Sequence, residues 1–258
     1  MPVFTQNISN QQSASSSGRS TYPQIGQGKF GGSISDEFFR EVLNPTNGYP
    51  IYTSSVVGTG TNTVVNGGEL QLLTSATLND NNCVRSSGLQ INNYPLAGPV
   101  QDQRSVFSVD ITFRVLQSAT SQKLWVGLYN SVNATTVIPT EATARLAGIY
   151  VDTTGTGNFV FRQGNTAGNG NTDTDSGVAL VNGTFYRLNI TKNGIDSGSM
   201  TLYSSTNNFT TQLSTITISK FDYGSLPQAY GYELFFWVQT LTTAARELDI
   251  MSWVCTWS

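Results

Sequence analysis

The chain has 258 residues, with 13 Lys and Arg against 16 Asp and Glu, a net charge of −3 and only 11% charged residues. That balance argues against nucleic-acid binding, which relies on clustered cations to displace phosphate counterions, and no stretch reaches the roughly 18 apolar residues of a membrane span. Histidine is absent, which excludes every Ser-His-Asp or Cys-His nucleophile and every His-ligated metal site.

The N-terminus, MPVFTQNISN, lacks a basic segment followed by an apolar one. It is not a standard secretion signal, so the chain is expected to be made in a cytoplasm or to have been trimmed. Residues 1–45 form a polar, low-complexity arm. A run of Gln, Asn and Ser over 6–18 is followed by Gly26, Gly28, Gly31 and Gly32. Such a segment buries too little apolar surface to offset its ordering entropy, so it is expected to be flexible alone or extended over a partner. Phe4, Tyr22, Phe30, Phe38 and Phe39 are its candidate partner-binding residues. A helical turn or two is expected over 36–43, capped by Ser35 or Asp36 and limited by Pro45.

The body, 46–258, reads as strands. Gly67-Gly68 precedes a strand over 69–73, and Asn79-Asp80-Asn81-Asn82 precedes one over 83–85. Over 104–116, Phe107, Val109, Ile111, Phe113 and Val115 alternate with polar residues, the period of a half-buried strand. Over 123–129, Leu124, Val126 and Leu128 oppose Trp125 and Tyr129. Strands over 146–152 and 158–163 flank the turn 153–157, a hairpin. A polar loop is expected over 164–177. Segments 178–181 and 184–192 meet across Asn182-Gly183, a strong hairpin signal. Further strands cover 199–203 and 213–221. At the end come 230–239 and 247–257, joined by a short loop. In the last, Leu248, Ile250 and Val254 are expected on one face and Met251, Trp253, Cys255 and Trp257 on the other. The total is about twelve strands at the turn spacing of an antiparallel sandwich or barrel.

Four features bear on chemistry. Glu247-Leu248-Asp249-Ile250-Met251 resembles the Glu-x-Asp-x-Glu strand of retaining jelly-roll β-glucanases. Met251 stands where their acid would be, so no enzyme activity is expected, and Glu247 and Asp249 are expected to face solvent. Asn171, Asp173 and Asp175 present alternating oxygen ligands, a candidate Ca²⁺ site, without the distal bidentate Glu of an EF-hand; an ordinary polar loop is the alternative. Trp125, Tyr129, Trp237 and Trp253 are candidates for stacking on sugar rings from an open sheet face, with core packing as the alternative. Cys83 and Cys255 are two buried thiols or one bridge between an early strand and the last.

Gly67, Gly68, Leu70 and Leu72, the long strand over 107–115, the Asn-Gly-Thr-Phe-Tyr-Arg-Leu segment over 182–188, and Ala-Arg-Glu-Leu-Asp-Ile-Met-Ser-Trp-Val over 245–254 together resemble the concanavalin A-like, laminin-G-like jelly roll of tailed-bacteriophage virion proteins. The resemblance covers about 46–258. It implies an all-β jelly-roll sandwich of two curved antiparallel sheets with its first and last strands as neighbours. It also implies a structural role on the virion surface: a capsid decoration (cement) protein or other head or tail component, homo-oligomeric, for instance trimeric, and bound to a capsid or tail protein through the arm. The alternative is a carbohydrate-binding adhesin that recognises host glycans.

Overall fold

The computed structural model describes residues 32–38, 52–65, 68–86, 107–117, 120–130, 145–164, 171–193, 197–219 and 233–257. Phe4, Tyr22, Phe30 and Phe39, expected on the arm, lie outside these residues, as does most of the helical turn expected over 36–43. Fifteen strands are described: β1 (Gly32–Asp36), β2 (Thr53–Val57), β3 (Thr61–Val65), β4 (Glu69–Leu73), β5 (Asn81–Arg85), β6 (Phe107–Leu116), β7 (Gln122–Asn130), β8 (Arg145–Asp152), β9 (Asn158–Gly164), β10 (Asn171–Ala179), β11 (Phe185–Lys192), β12 (Gly198–Ser204), β13 (Gln212–Ile218), β14 (Glu233–Thr240) and β15 (Glu247–Trp257). One 3-10 turn, Ser205–Asn207, is the only helical element among the described residues.

All pairings are antiparallel. One sheet runs β13-β12-β11-β6-β15-β4-β3, with β1 as an eighth strand on β15; the other runs β10-β9-β8-β7-β14-β5-β2. The core lies between them. Strand β6 buries Phe107, Val109, Ile111, Phe113 and Val115 and leaves the residues between them half-buried, as its period requires. Facing it across the gap are Leu124, Val126 and Leu128 of β7 and Leu234, Phe236 and Val238 of β14. Phe113, Phe159 and Tyr186 meet ring to ring, with centroids 4.7 to 6.2 Å apart. At one side the sheets are stitched by two amides. Asn62 of β3 donates to the Ser55 and Cys83 carbonyls of the seven-stranded sheet, and Asn82 of β5 donates to the Thr61 and Leu73 carbonyls of the other.

Several expectations change. Residues 32–38, assigned to the arm, belong to the sandwich. Strand β1 pairs with the second half of β15, Gly32 opposite Trp257 and Asp36 opposite Trp253. Asp36 accepts from the Phe38 N–H and the Tyr52 hydroxyl at 2.8 Å each, and the Trp253 indole N–H donates to that hydroxyl. Phe38 is buried rather than offered to a partner.

The hairpin expected across Asn182-Gly183 is a crossover between sheets. Gly183 (φ +74) makes the turn at Asn182-Gly183, but β10 and β11 on either side of it belong to different sheets. The same holds for β14 and β15. The polar loop expected over 164–177 contains β10, an edge strand. In β15 the register against β6 slips between Ile250 and Ser252, which leaves Met251 as an extra residue. This bulge shifts the alternation by one, so Leu248, Ile250, Trp253 and Cys255 all bury in the core while Val254 does not. Cys255 therefore faces the core, whereas Cys83 lies on the outer face of the other sheet; both thiols are free.

Candidate functional site

Alternation that points leucines and valines of the seven-stranded sheet into the core must point their neighbours outward. Those neighbours are aromatic. Trp237 of β14 stands opposite Trp125 of β7, which stands opposite Tyr150 of β8; Tyr129 and Phe235 lie one step along. With Leu146 they form a second apolar cluster, flanked by Cys83 and separated from the main core by the sheet itself. Tyr129 and Phe235 have ring centroids 5.1 Å apart. Gly148 makes room for one ring, since a Cβ there would lie 2.8 Å from Trp125 Cζ2 and 2.6 Å from the Val126 carbonyl oxygen.

Three of the four aromatics selected for sugar stacking thus share one face. Their exposures are 0% for Trp125, 1% for Trp237 and 3% for Tyr129, so their rings form the supported floor of that face and not its open surface. The fourth, Trp253, belongs to the other sheet and points into the core; the bulge at Met251 put it there. The buried Trp125 indole N–H has no acceptor among the described residues.

The accessible part of the face is a polar fringe on β7–β10. Arg162 of β9 lies over the Tyr150 ring, 4.4 Å from its centroid, and donates through two nitrogens to both carboxylate oxygens of Asp173 at 2.7 and 2.6 Å. Asn158 donates to Asp175 at 3.0 and 3.1 Å, and the Gly177 N–H donates to the same carboxylate. Lys123 Nζ lies 3.1 Å from Asp152 Oδ2. At the far side Arg85 faces Glu233 at 3.8 Å. Burial works to raise the Asp152 carboxyl, but hydrogen bonds from Thr154 and Lys123 outweigh it and hold the group below its usual range. Burial, followed by the Asp152 charge, pushes the Tyr150 hydroxyl well above its ordinary value, so it stays protonated. Burial also raises the Glu233 carboxyl against the pull of Arg85.

Asp173 and Asp175 are engaged within the protein. Their oxygens are engaged by a guanidinium, an amide and a backbone N–H, and no group of three or more His, Cys, Asp or Glu able to hold a metal occurs among the described residues. The side chain of Asn171, the third residue of the candidate Ca²⁺ set, lies outside those described. Sequence reading missed Arg162, Tyr150, Asp152 and Asn158. The signal for them was present, because each falls on the outward parity of β8 or β9 once the inward row Ile149, Val151, Phe159 and Phe161 is drawn.

Glu247 and Asp249 also differ from expectation. They lie on the outer face of the eight-stranded sheet and are 5% and 1% exposed, not solvated.

No protein-family model matches the chain, and no curated protein matches it. Solved structures do match. The basic winged bean lectin with Tn-antigen shares 12% identity at a TM-score of 0.60, covering 89% of this chain and 99% of that one. A lectin, UEA-II, complexed with galactose shares 14% at 0.59, covering 88% and 98%. A protein of unknown function from Shewanella oneidensis MR-1 shares 15% at 0.57, covering 100% and 96%. At these identities the likeness concerns the fold, which is an all-β, concanavalin A-like jelly-roll sandwich.

Proposed function

We propose that the protein binds carbohydrate, and binds it without cleaving it, through the outer face of its seven-stranded sheet. The observation that carries the reading is the fringe of β8–β10. Asp173, Asp175, Asn158 and Arg162 are planar hydrogen-bonding groups held in position by one another, with Arg162 over the Tyr150 ring at the margin of the aromatic cluster. Vicinal hydroxyls are matched by such groups, and preorganisation lowers the ordering cost of binding. The fold's likeness to lectins, among them ones bound to galactose and to Tn-antigen, supports the same reading.

The charges favour a neutral glycan. Among the described residues of this face each cation already opposes a carboxylate: Lys123 with Asp152, Arg162 with Asp173, Arg85 with Glu233. Asp175 adds a further negative charge. An anionic sugar would have to displace a carboxylate to find a partner. A virion role, with its capsid partner, finds no support in the structural likenesses.

A glycan array followed by titration calorimetry tests the reading. A neutral oligosaccharide is expected to bind, and Asp173→Ala to weaken it about tenfold or more, the worth of a charge-assisted hydrogen bond. Silence across neutral and acidic glycans alike would overturn it.

A further inference from the structure

A second group of interacting ionisable side chains among the described residues lies on the opposite side of the molecule, on the outer face of the eight-stranded sheet. With Leu248 and Ile250 turned inward, Glu247 and Asp249 of β15 turn outward. Asp249 stands between Gln71 of β4 and Arg114 of β6. Arg114 Nε donates to Asp249 Oδ2 at 3.0 Å, and its Nη2 donates to Glu69 Oε2 at 2.6 Å. Its guanidinium carbon lies 5.0 Å from the Phe185 ring centroid of β11. Glu247 accepts from Gln71 at 2.7 Å and from Gln117 at 2.9 Å. Gln117 holds a left-handed backbone (φ +70) to do so.

Among the described residues, the charged groups facing Asp249 are Glu69 from β4, Arg114 from β6 and its own neighbour Glu247 on β15. Gln71 and Gln117 are the facing amides, and Asp110 with Arg187 is the next charged pair along β6 and β11. Three carboxylates therefore share one guanidinium. Asp249 is 1% exposed, and its Oδ1 has no hydrogen-bond partner among the described residues. A bare carboxylate oxygen in that position carries a full desolvation cost.

We infer that Asp249 is a proton-operated latch on the seam where β15 meets β4 and β6. With a proton on Oδ1, Oδ2 still accepts from Arg114, every hydrogen bond of the cluster survives, and one of two excess negative charges is removed. Without it, the seam closes over mutually repelling carboxylates. Burial first, and the charges of Glu247 and Glu69 against the opposing pull of Arg114, push the Asp249 carboxyl from 3.8 up to about 7.

The folded-state value lies above the unfolded one. The folded chain therefore binds the extra proton between them, and the stabilisation is complete below the unfolded value and lost as pH rises through the folded one. This is opposite in sign to the behaviour of an ordinary paired Asp.

Thermal unfolding and infrared spectroscopy on the full chain test it. The unfolding midpoint is expected to fall between about pH 4 and about pH 7. Asp249→Asn, which mimics the protonated form, is expected to flatten that fall and to exceed the parent protein at the alkaline end. Glu69→Gln is expected to move the fall to lower pH. A protonated-carboxyl band is expected in the parent protein on the acidic side, fading on the alkaline side. Should Asp249→Asn not fold, the shift of that band's fading to lower pH in Glu69→Gln decides, because Glu233, the other carboxyl raised by burial, lies on the opposite sheet and is not moved by that change. Absence of that band at the acidic end, or an unchanged slope in a folded Asp249→Asn, overturns the latch.

Discussion

The two outer faces of the sandwich are built by the same alternation and reach opposite electrostatic solutions. On the seven-stranded sheet each cation among the described residues has its own carboxylate, and hydrogen bonds from Thr154, then Lys123, hold the partly exposed Asp152 below its usual range, although burial raises Glu233. On the eight-stranded sheet three carboxylates sit under cover around a single Arg114, and Asp249 is pushed up instead. Burial raises both groups. What decides the sign is whether hydrogen bonds and opposite charge outweigh it. A carboxylate beside an arginine is thus not by itself a stabilised anion.

The largest test concerns what supports the first face. Trp125→Ala removes a fully buried indole from the second apolar cluster and is expected to cost about 3–5 kcal/mol in chemical denaturation. An effect below about 1 kcal/mol would mean that the cluster is not a packed core. Next, Arg114→Met strips the carboxylate cluster of its only cation among the described residues. A loss of about 3 kcal/mol is expected on the alkaline side, shrinking on the acidic side as Asp249 holds its proton. The matching change on the other face, Arg162→Met, removes a cation whose partner Asp173 has a side chain 44% exposed. It is expected to cost less than about 1 kcal/mol while abolishing glycan binding. Equal losses for the two arginines would erase the contrast. The smallest effect is expected from Asp152→Asn. The parent gains stability from Asp152 above its unfolded value and loses it as pH falls through the folded one, so the variant should differ from the parent at neutral pH and converge with it in acid.

The contrast was only half legible in the chain. Strands such as β6 and β11 declare themselves, because five or three inward apolar residues in strict alternation leave no other assignment. Alternation specifies a face but not a sheet, so the segments on either side of Asn182-Gly183 read as a hairpin although β10 and β11 span the sandwich. Strand β10 was hidden because an edge strand whose outward Asp173 and Asp175 meet Arg162 and Asn158 needs few apolar residues. The aromatic floor was legible from the parity of Trp125 and Tyr129 against Leu124, Val126 and Leu128. Trp253 was misassigned because one extra residue at Met251 reverses the parity, and nothing in the local sequence marks a bulge. The burial of Glu247 and Asp249 was illegible for a different reason. Gln71, Arg114 and Glu69 come from strands far away in sequence, and only the sheet order β4-β15-β6 brings them together.

The shared edge of β15 has a practical consequence. Its first half pairs with β4 and its second half with β1, so Gly32 and Trp257 are cross-strand partners, which puts their Cα atoms about 5 Å apart. A short linker between those two positions would close the body into a ring. New ends could then be opened in the β8–β9 turn at residues 153–157, whose removal leaves every sheet pairing intact. The sandwich is therefore a natural host for circular permutation, and the ring closure could move either outer face onto a chosen scaffold without rebuilding the core.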